Sequence, residues 1–266
     1  MGRETSLVRT LSGVSGAYGA SKASLVLDPK NGHQRFNPMP TQDVLKTYFT
    51  NDFQRAKPVA AEIYTPDVSN VLKTLADNLR KKGLPEKFRF HEVGCGYGAA
   101  VWAVQQMALK ATGNEVSPTC VEFANKHCAG KIRAGSFEAT ASSLSETDLF
   151  FVVHALERII DPQAALKLMA KKLSKKGFAY ICVANGASHR AARSGIENCP
   201  YFGFPGFLHY FTPASLCQMI AEADMEPVVI ETRPMGELPD APGEINVGQR
   251  CERLLGGQLF VLAKRA

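Results

Sequence analysis

The amino-acid sequence predicts an α/β fold built on a parallel sheet, and three observations support that class. Strand-like apolar segments alternate with amphipathic helical segments from residue 66 onwards, which is the rhythm of β-α-β units. A glycine-rich turn at residues 94–98 joins the first of these strands to the next helix. The chain has 266 residues, 45% of them hydrophobic, which is enough for one large domain with a buried core.

Residues 1–65 are expected to form an N-terminal arm and cap outside that domain. The segment is rich in Gly, Ser and Pro at first and then in aromatic residues, among them Tyr48, Phe49 and Tyr64. This composition predicts loose structure that packs on another part of the molecule. We expect Tyr48 and Phe49 to close over the site as a lid that excludes water.

The main domain is expected to span residues 66–266. Apolar residues at helical spacing open it, and Gly83 and Pro85 predict the end of that first helix. The predicted helices are 66–82, 99–109, 118–127, 162–173 and 212–223. The predicted strands are 88–93, 110–115, a short one at Ile132, 148–153, 178–183, 227–232 and 258–263.

A loop insertion is expected at about residues 186–211, where Gly, Pro and aromatic residues are frequent. The helix that follows it has strong start signals. Thr212 is suited to the N-cap position, and Pro213 is suited to the first helical position.

The turn at residues 94–98 has the features of a nucleotide-cofactor site. Glycines remove side chains where the backbone must approach a ligand, and the next helix offers amide donors. Glu115 ends the following strand, about 20 residues on, where a carboxylate can bind two ribose hydroxyls. Because Gly94-x-Gly96-x-x-Ala99 also fits the dinucleotide fingerprint, an NAD-dependent oxidoreductase is an alternative at this point.

Two features favour S-adenosylmethionine (SAM) over NAD. Glu92 lies inside the first strand, where its carboxylate could reach the ammonium group of SAM. Only one βαβαβ half precedes the last pair of strands, whereas a dehydrogenase usually has a second nucleotide-binding half.

Four segments together resemble class I SAM-dependent methyltransferases of the methyltransferase 23 type, a group similar to methyltransferase 11. They are residues 92–98 (EVGCGYG), 113–117 (GNEVS), 148–157 (DLFFVVHALE, followed by Asp161-Pro162) and 209–216 (HYFTPASL). The resemblance covers about residues 66–234. It implies a Rossmann-like seven-stranded sheet, with the N-terminal arm and a helical cap covering the cofactor.

The resemblance also implies roles for individual residues. Gly94, Gly96 and Gly98 are expected to line the methionine and ribose of SAM, and Glu115 to hold the ribose hydroxyls. Ser136 and Phe137 are expected to flank the adenine, since a phenyl ring can pack on a purine. The remaining residues assigned to the cofactor are Glu92, Cys95, Val116 and Val153.

His154 and Glu157 are candidates for the catalytic base and the residue that orients it. They follow the predicted strand 148–153, at the edge where open α/β sheets bind ligands, and they lie one helical turn apart. The alternative is that His154 caps a helix and Glu157 is a surface or helix-start carboxylate.

His209 and Tyr210 end the loop insertion and are further catalytic candidates. The insertion also contains Tyr201, Phe202, Phe204 and Phe207. Together these residues could form the wall of an acceptor pocket, although ordinary loop packing explains them equally well.

The sequence argues against metal and zinc sites. Some related O-methyltransferases have a metal-binding Glu-x-x-Glu-His run where this chain has His154-Ala155-Leu156-Glu157-Arg158. Related arms carry zinc-binding cysteines that are absent here, and the seven cysteines include no C-x-x-C pair. We therefore expect neither a metal nor disulfides.

The sequence also argues against nucleic-acid and membrane partners. Residues 198–201 (NCPY) resemble the Asn-Pro-Pro-Tyr motif of base-methylating enzymes, but they follow the fifth predicted strand instead of the fourth. The net charge is +6, and the basic residues form no stripe of the kind that binds nucleic acid. No apolar run is long enough for a membrane span or a secretory signal, so a cytoplasmic location is expected. The sequence leaves undecided whether the chain forms a homodimer.

The sequence therefore predicts methyl transfer from SAM, with S-adenosylhomocysteine (SAH) as product. The expected acceptor is a small organic molecule that is O-, N- or C-methylated, in natural-product or sugar-related biosynthesis. Besides the NAD-dependent oxidoreductase, the alternative is a protein that binds SAM without transferring its methyl group.

Overall fold

The structure, a computed structural model, describes residues 6–12, 22–51, 58–233 and 255–266. Its strands, in chain order, are β1 (Ser6–Ser12), β2 (Lys22–Leu27), β3 (Gln34–Asn37), β4 (Arg89–Val93), β5 (Lys110–Glu115), β6 (Ile132–Ala134), β7 (Thr147–Val153), β8 (Leu173–Ala184), β9 (His209–Tyr210), β10 (Met225–Arg233) and β11 (Gln258–Arg265). Its helices are α1 (Gln42–Asn51), α2 (Ala60–Ile63), α3 (Pro66–Lys81), α4 (Ala99–Gln106), α5 (Pro118–His127), α6 (Phe137–Thr140), α7 (Pro162–Lys172), α8 (His189–Ser194) and α9 (Pro213–Ala221).

Seven strands form the main sheet, in the order β10-β11-β8-β7-β4-β5-β6. The five strands from β8 to β6 in that order are parallel, and β11 is antiparallel to both of its neighbours. This confirms the predicted α/β class and the Rossmann-like seven-stranded sheet. The ends of β4, β5, β7 and β8 lie at one edge of the sheet, called the carboxyl edge below.

Helices cover both faces of the main sheet because its central strands are apolar on both sides. Leu149 and Phe151 of β7 pack in a cluster with residues of α3 and α4. Phe150 and Val152 point the other way and pack with residues of α7 and α9. All four side chains are at most 5% exposed, as expected for a central strand of a parallel sheet.

Side chains cap the starts of several helices. Thr65 accepts a hydrogen bond from Val68 N at the start of α3, and Asp161 does so from Ala164 N at the start of α7. Thr212 forms a capping box with Ser215 at α9, which confirms the predicted start of that helix. Within the described residues, no helix is long and apolar enough to cross a bilayer.

A second, antiparallel sheet has the order β1-β2-β3-β9 and is called the small sheet. It differs from the loose arm expected for residues 1–65 and from the plain loop expected for residues 186–211, which also contain α8. The reason is a long-range pairing, since Gln34 and Arg35 of β3 pair with Tyr210 and His209 of β9. Such a pairing leaves little local signal in the sequence.

Two element boundaries also differ from expectation. α4 ends at Gln106 instead of residue 109 because Ala108 has φ 58°, which reverses the chain towards β5. β8 starts at Leu173 instead of residue 178, and Leu173 pairs with Thr147 at the start of β7. The division of the chain at residue 65 stays a prediction.

Candidate active site

The turn after β4 leaves its backbone open at the carboxyl edge. Gly94, Gly96 and Gly98 all have positive φ, at 65°, 52° and 76°. A Cβ atom on Gly94 would lie only 2.8 Å from the Cβ atom of Ala155, so a larger residue does not fit there. Gly94 itself is exposed, and the turn is therefore accessible to a ligand.

Glu115 lies at the end of β5 and closes this turn from the side. Its Oε2 atom accepts a hydrogen bond from Gly96 N, and its Oε1 atom accepts from Val116 N and Ser117 N, each at 2.8 Å. The structure thus brings the glycine turn and the predicted ribose-binding carboxylate together. Since a carboxylate oxygen can accept about two hydrogen bonds, Oε2 keeps capacity for a hydroxyl group.

Glu92 is a buried carboxyl group within β4, next to the same turn. Glu92 is 9% exposed, and its Oε2 atom has no hydrogen-bond partner among the described residues. Burial raises the pKa of this carboxyl to about 8, while the backbone amide of Val101 opposes the shift and the charge of Glu115 adds to it. A cationic group bound here would satisfy the free oxygen.

Three other assigned residues contribute in different ways. Cys95 is 6% exposed, and its sulfur packs beneath the turn against Gly113, so only its backbone faces the edge. Val116 is half-buried and packs against α1, and Val153 is half-buried at the end of β7.

The residues predicted to bind adenine, Ser136 and Phe137, lie beside the end of β5, but both of their side chains make contacts within the protein. Ser136 caps α6 by accepting a hydrogen bond from Ala139 N, and Gly135 N donates to Glu115 O. Phe137 is 2% exposed, and its ring packs with His91 and Phe150 in the core. The structure brings the backbone near this position to Glu115 but does not bring the Phe137 ring to the open edge.

His154 and Glu157 form the hydrogen-bonded pair that the sequence suggested. His154 Nδ1 lies 3.0 Å from Glu157 Oε1, which also accepts from Ala184 N at 3.3 Å. Glu157 is 0% exposed, and its Oε2 atom has no partner within the described residues. Glu157 is therefore not a surface carboxylate: it lies in the first turn of a short helix, as the alternative also allowed, but it is buried and directed at the histidine.

The other nitrogen of His154 faces the neighbouring strands. Its Nε2 atom lies 3.3 Å from the side-chain nitrogen of Gln258 and 3.9 Å from the sulfur of Cys182. Because a carboxylate can only accept at Nδ1, Nδ1 carries the proton and Nε2 is left as an acceptor. His154 has φ 51°, a strained value for a non-glycine residue.

His209 and Tyr210 lie on opposite faces of β9, so they do not form one site. His209 is 4% exposed, its Nδ1 atom is 3.1 Å from His33 Nε2, and its Nε2 atom is 3.3 Å from Ile160 O. Burial lowers the pKa of His209 to about 4. Tyr210 is fully buried and stacks on Phe202, which is ordinary packing of the insertion.

The arm reaches the carboxyl edge through α1. Leu45 and Phe49 form an apolar cluster with Leu208, and Val116 and Tyr48 pack against it. The predicted lid residues therefore lie next to the residue that follows Glu115. Whether α1 moves on binding stays a prediction.

Several residues near the site have little or no local signal in the sequence. Tyr64 donates a hydrogen bond from its hydroxyl to Tyr97 O in the glycine turn, at 2.6 Å. Gln258, Cys182, His33 and Arg35 gave no local signal, because strand pairing brings them to the site from distant parts of the chain. For Tyr64, the aromatic character of the arm was the one available indication.

The described residues contain no group of three or more His, Cys, Asp or Glu side chains that could hold a metal ion. Six of the seven cysteines lie in the described part, and none of these six forms a disulfide with another; Cys251 lies outside it.

Comparisons with known proteins give the same result as the geometry. A family model described as a methyltransferase domain matches residues 67–229, which is more than half of the chain. No match is found among curated proteins. Three solved structures share the fold at low sequence identity.

The CcbJ methyltransferase from Streptomyces caelestis is 14% identical with a TM-score of 0.55, and the match covers 78% of this chain and 96% of that one. Magnesium protoporphyrin IX methyltransferase from Synechocystis PCC 6803, solved with bound SAH, is 13% identical with a TM-score of 0.54 over 85% and 100% of the two chains. A SAM-dependent methyltransferase from Thermotoga maritima is 19% identical with a TM-score of 0.51 over 75% and 91%.

The family match removes the NAD-dependent oxidoreductase as an alternative, and the open glycine turn, Glu115 and the unsatisfied Glu92 carboxyl fit SAM. The chain belongs to the methyltransferase-domain family and is a class I SAM-dependent methyltransferase.

Proposed function

We propose that this methyltransferase methylates a small organic acceptor, on oxygen, nitrogen or carbon, at the carboxyl edge beside His154. The observation on which the proposal depends is the carboxylate of Glu115, held by Gly96 N at 2.8 Å. This contact joins the two parts of the sequence that bind the cofactor. Natural-product and sugar-related biosynthesis are the settings in which we expect such an acceptor.

Each cofactor-binding group has a distinct task in this proposal. Glu115 binds the ribose hydroxyls through the free capacity of Oε2, and Glu92 binds the ammonium group. The backbone of the glycine turn passes beneath the methionine. Bound SAM supplies an electrophilic methyl group on a sulfonium, so the protein must orient a lone pair of the acceptor towards it.

His154 is proposed to remove the proton that a hydroxyl or amine acceptor loses. Its Nδ1–H group donates to Glu157, so Nε2 has the free lone pair and can take a proton. The buried carboxylate of Glu157 then faces an imidazolium ion instead of a neutral ring, which stabilises the charge. Gln258 holds Nε2 in the free enzyme and must give way to the acceptor.

The class and the ribose contact can be tested by isothermal titration of the full-length protein with SAH and with NAD. We expect SAH to bind and NAD not to bind. Glu115→Ala should weaken SAH binding roughly 10- to 100-fold, because hydrogen bonds to a charged group contribute about 1.5–3 kcal/mol. Glu122→Ala removes an exposed carboxylate in the adjacent helix α5 and should leave the affinity unchanged.

Binding of NAD without SAH would overturn the proposal. A screen of small organic acceptors with labelled SAM tests transfer itself. SAH binding together with no transfer to any acceptor would indicate a protein that binds SAM without catalysis.

A further inference from the structure

The small sheet turns its polar face towards the protein interior. Residues alternate along its strands, so Leu25, Phe36 and Tyr210 share one face and pack in an apolar cluster. Arg35 and His209 are paired across β3 and β9 and share the opposite face. An antiparallel sheet that covers a core normally exposes its polar face to water, so this arrangement needs an explanation.

The polar face lines a cavity of about 440 Å³ between the small sheet and the start of α7. Small-molecule sites have volumes of roughly 300–1,000 Å³. His33, Arg35 and His209 contribute from the small sheet, and Asp161 contributes from the N-cap of α7. A cavity with this many polar groups and this volume can hold a small organic molecule.

Arg35 is the positively charged side chain that lines this cavity. No carboxylate among the described residues lies within 4 Å of its guanidinium, and it is half-buried. The two carboxylates that line the cavity each accept one hydrogen bond from a backbone amide, Asp28 from Lys30 N and Asp161 from Ala164 N. A guanidinium with no ion pair is suited to a planar anionic group, which it binds with two parallel hydrogen bonds.

His33 and His209 add hydrogen-bonding capacity to the cavity, and His209 does so without charge. Burial lowers the pKa of His209 to about 4, and the charge of Arg35 adds to the shift, so the ring is neutral near pH 7. If His209 Nε2 donates to Ile160 O, its Nδ1 atom accepts from His33 Nε2. The neutral His209 ring cannot neutralise an anion, and that task stays with Arg35.

The cavity is adjacent to the carboxyl edge. Met39 and Ile160 form part of its wall, and the same two residues pack against the apolar cluster of Leu45, Phe49 and Leu208, against which Val116 also packs. Leu208 N, beside His209, donates to Glu157 O, so the small sheet is tied to the turn that carries the proposed base. The cavity therefore shares wall residues and a backbone hydrogen bond with the elements that border the carboxyl edge.

We propose that this cavity anchors the methyl acceptor and that the acceptor is a small organic acid whose carboxylate pairs with Arg35. The proposal rests on the methyl transfer proposed above. The remaining lone pairs of Asp28 and Asp161 suit hydroxyl groups on the same molecule. The reacting atom then extends from the anchored end towards His154.

The test is isothermal titration of the full-length protein, saturated with SAH, at constant ionic strength. The probes are benzoate, salicylate, inorganic phosphate and the neutral benzamide. We expect a carboxylate to bind with a millimolar dissociation constant and benzamide to bind at least tenfold more weakly. Arg35→Met should weaken carboxylate binding at least tenfold, because methionine keeps apolar bulk but removes the charge.

Two further variants control the result. Arg193→Met removes an exposed arginine of α8 and should leave carboxylate binding unchanged. Arg35→Lys keeps the charge but cannot form the two parallel hydrogen bonds, so it should bind carboxylate more weakly than wild type and more tightly than Arg35→Met, which separates a lost ion pair from a misfolded strand. SAH affinity should be the same in all variants.

Equal carboxylate binding in wild type and Arg35→Met would overturn the proposal, and so would no carboxylate binding at all. Binding of phosphate alone would overturn the assignment to an organic acid. Failure of the wild type to bind SAH would instead overturn the proposed methyl transfer, so the two failures are distinguishable.

Discussion

Glu92 shows how one buried residue can link cofactor binding to pH. Burial raises the pKa of its carboxyl to about 8, so the free protein holds this proton near pH 7. An ammonium group placed against the carboxyl favours the ionised form. Cofactor binding near neutral pH should therefore expel the proton.

Glu92→Gln tests this linkage through proton release. At pH 7, wild type should release up to about 0.9 proton when SAH binds, since a group with a pKa near 8 is about 90% protonated there. SAH affinity should rise between pH 6 and pH 8. Glu92→Gln should release almost none and should bind SAH roughly 10- to 100-fold more weakly at pH 8.

The measurement is titration calorimetry in buffers of different ionisation enthalpy, which separates proton release from binding heat. Glu86→Gln is the matched control, because Glu86 is an exposed carboxylate whose side chain is 84% accessible. Equal proton release in wild type and Glu92→Gln would show that another group is responsible.

At the scale of elements, the junction of α2 and α3 holds the glycine turn from outside. Tyr64 sits between these helices, packs against Trp102, Phe123 and His127, and donates its hydroxyl to Tyr97 O. Burial raises the pKa of this hydroxyl well above its usual range, so it stays a donor. The arm therefore fixes the turn by a hydrogen bond to its backbone.

Tyr64→Phe removes this hydrogen bond and keeps the ring. We expect SAH binding to weaken about 3- to 10-fold, because a hydrogen bond contributes about 0.5–1.5 kcal/mol. Thr65→Ala is the matched control, since it removes the cap of α3 one residue away without touching the turn. It should lower stability by about 1 kcal/mol with unchanged SAH affinity. If both variants bind SAH as wild type does, Tyr64 has no role in positioning the turn.

The elements that carry local signals could be predicted from the sequence. The capped helices α3, α7 and α9 and the apolar strands β4, β5 and β7 lie close to their expected positions, and His154 and Glu157 pair as suggested. The small sheet could not be predicted, because β3 and β9 are far apart in sequence and β9 has two residues. The buried orientation of Phe137 depends on packing against His91 and Phe150, which local patterns do not encode.

At the scale of the whole molecule, three buried groups set how stability depends on pH. Burial lowers the pKa of His91 in the main sheet and of His209 in the small sheet to about 4. Burial raises the pKa of Glu92 to about 8. Each is shifted towards its neutral form, so the histidines and the carboxyl act in opposite directions.

Between about pH 4 and 6.5 the unfolded chain binds more protons at each histidine, so the free energy of unfolding falls as the pH falls. Between about pH 4.5 and 8 the native protein holds one more proton at Glu92, so the free energy of unfolding falls as the pH rises. Because two histidines outweigh one carboxyl, the unfolded chain binds about one proton more than the native protein just below pH 6.5. Above that pH only Glu92 contributes, so stability should be highest near pH 6.5.

Guanidinium unfolding of the SAH-free protein at pH 5, 6.5 and 8 checks this profile. One proton corresponds to about 1.4 kcal/mol per pH unit, and the groups are only partly titrated at pH 6.5 and pH 8, so the free energy of unfolding should be lower by roughly 1 kcal/mol at pH 5 and at pH 8. Glu92→Gln should abolish the decline towards pH 8, and His91→Asn should flatten the decline towards pH 5. A wild-type free energy of unfolding that rises steadily from pH 5 to pH 8 would contradict the assignment.

The same profile reports whether the two sheets unfold together. His91 and His209 lie in different sheets, yet β9 contacts the turn after β7 and Leu208 N donates to Glu157 O. If unfolding is one cooperative step, His91→Asn and His209→Asn flatten the acid side of a single transition equally. If the small sheet opens first, His209→Asn changes a separate early transition and leaves the main one unaltered, because a proton affects only the step in which its group becomes exposed.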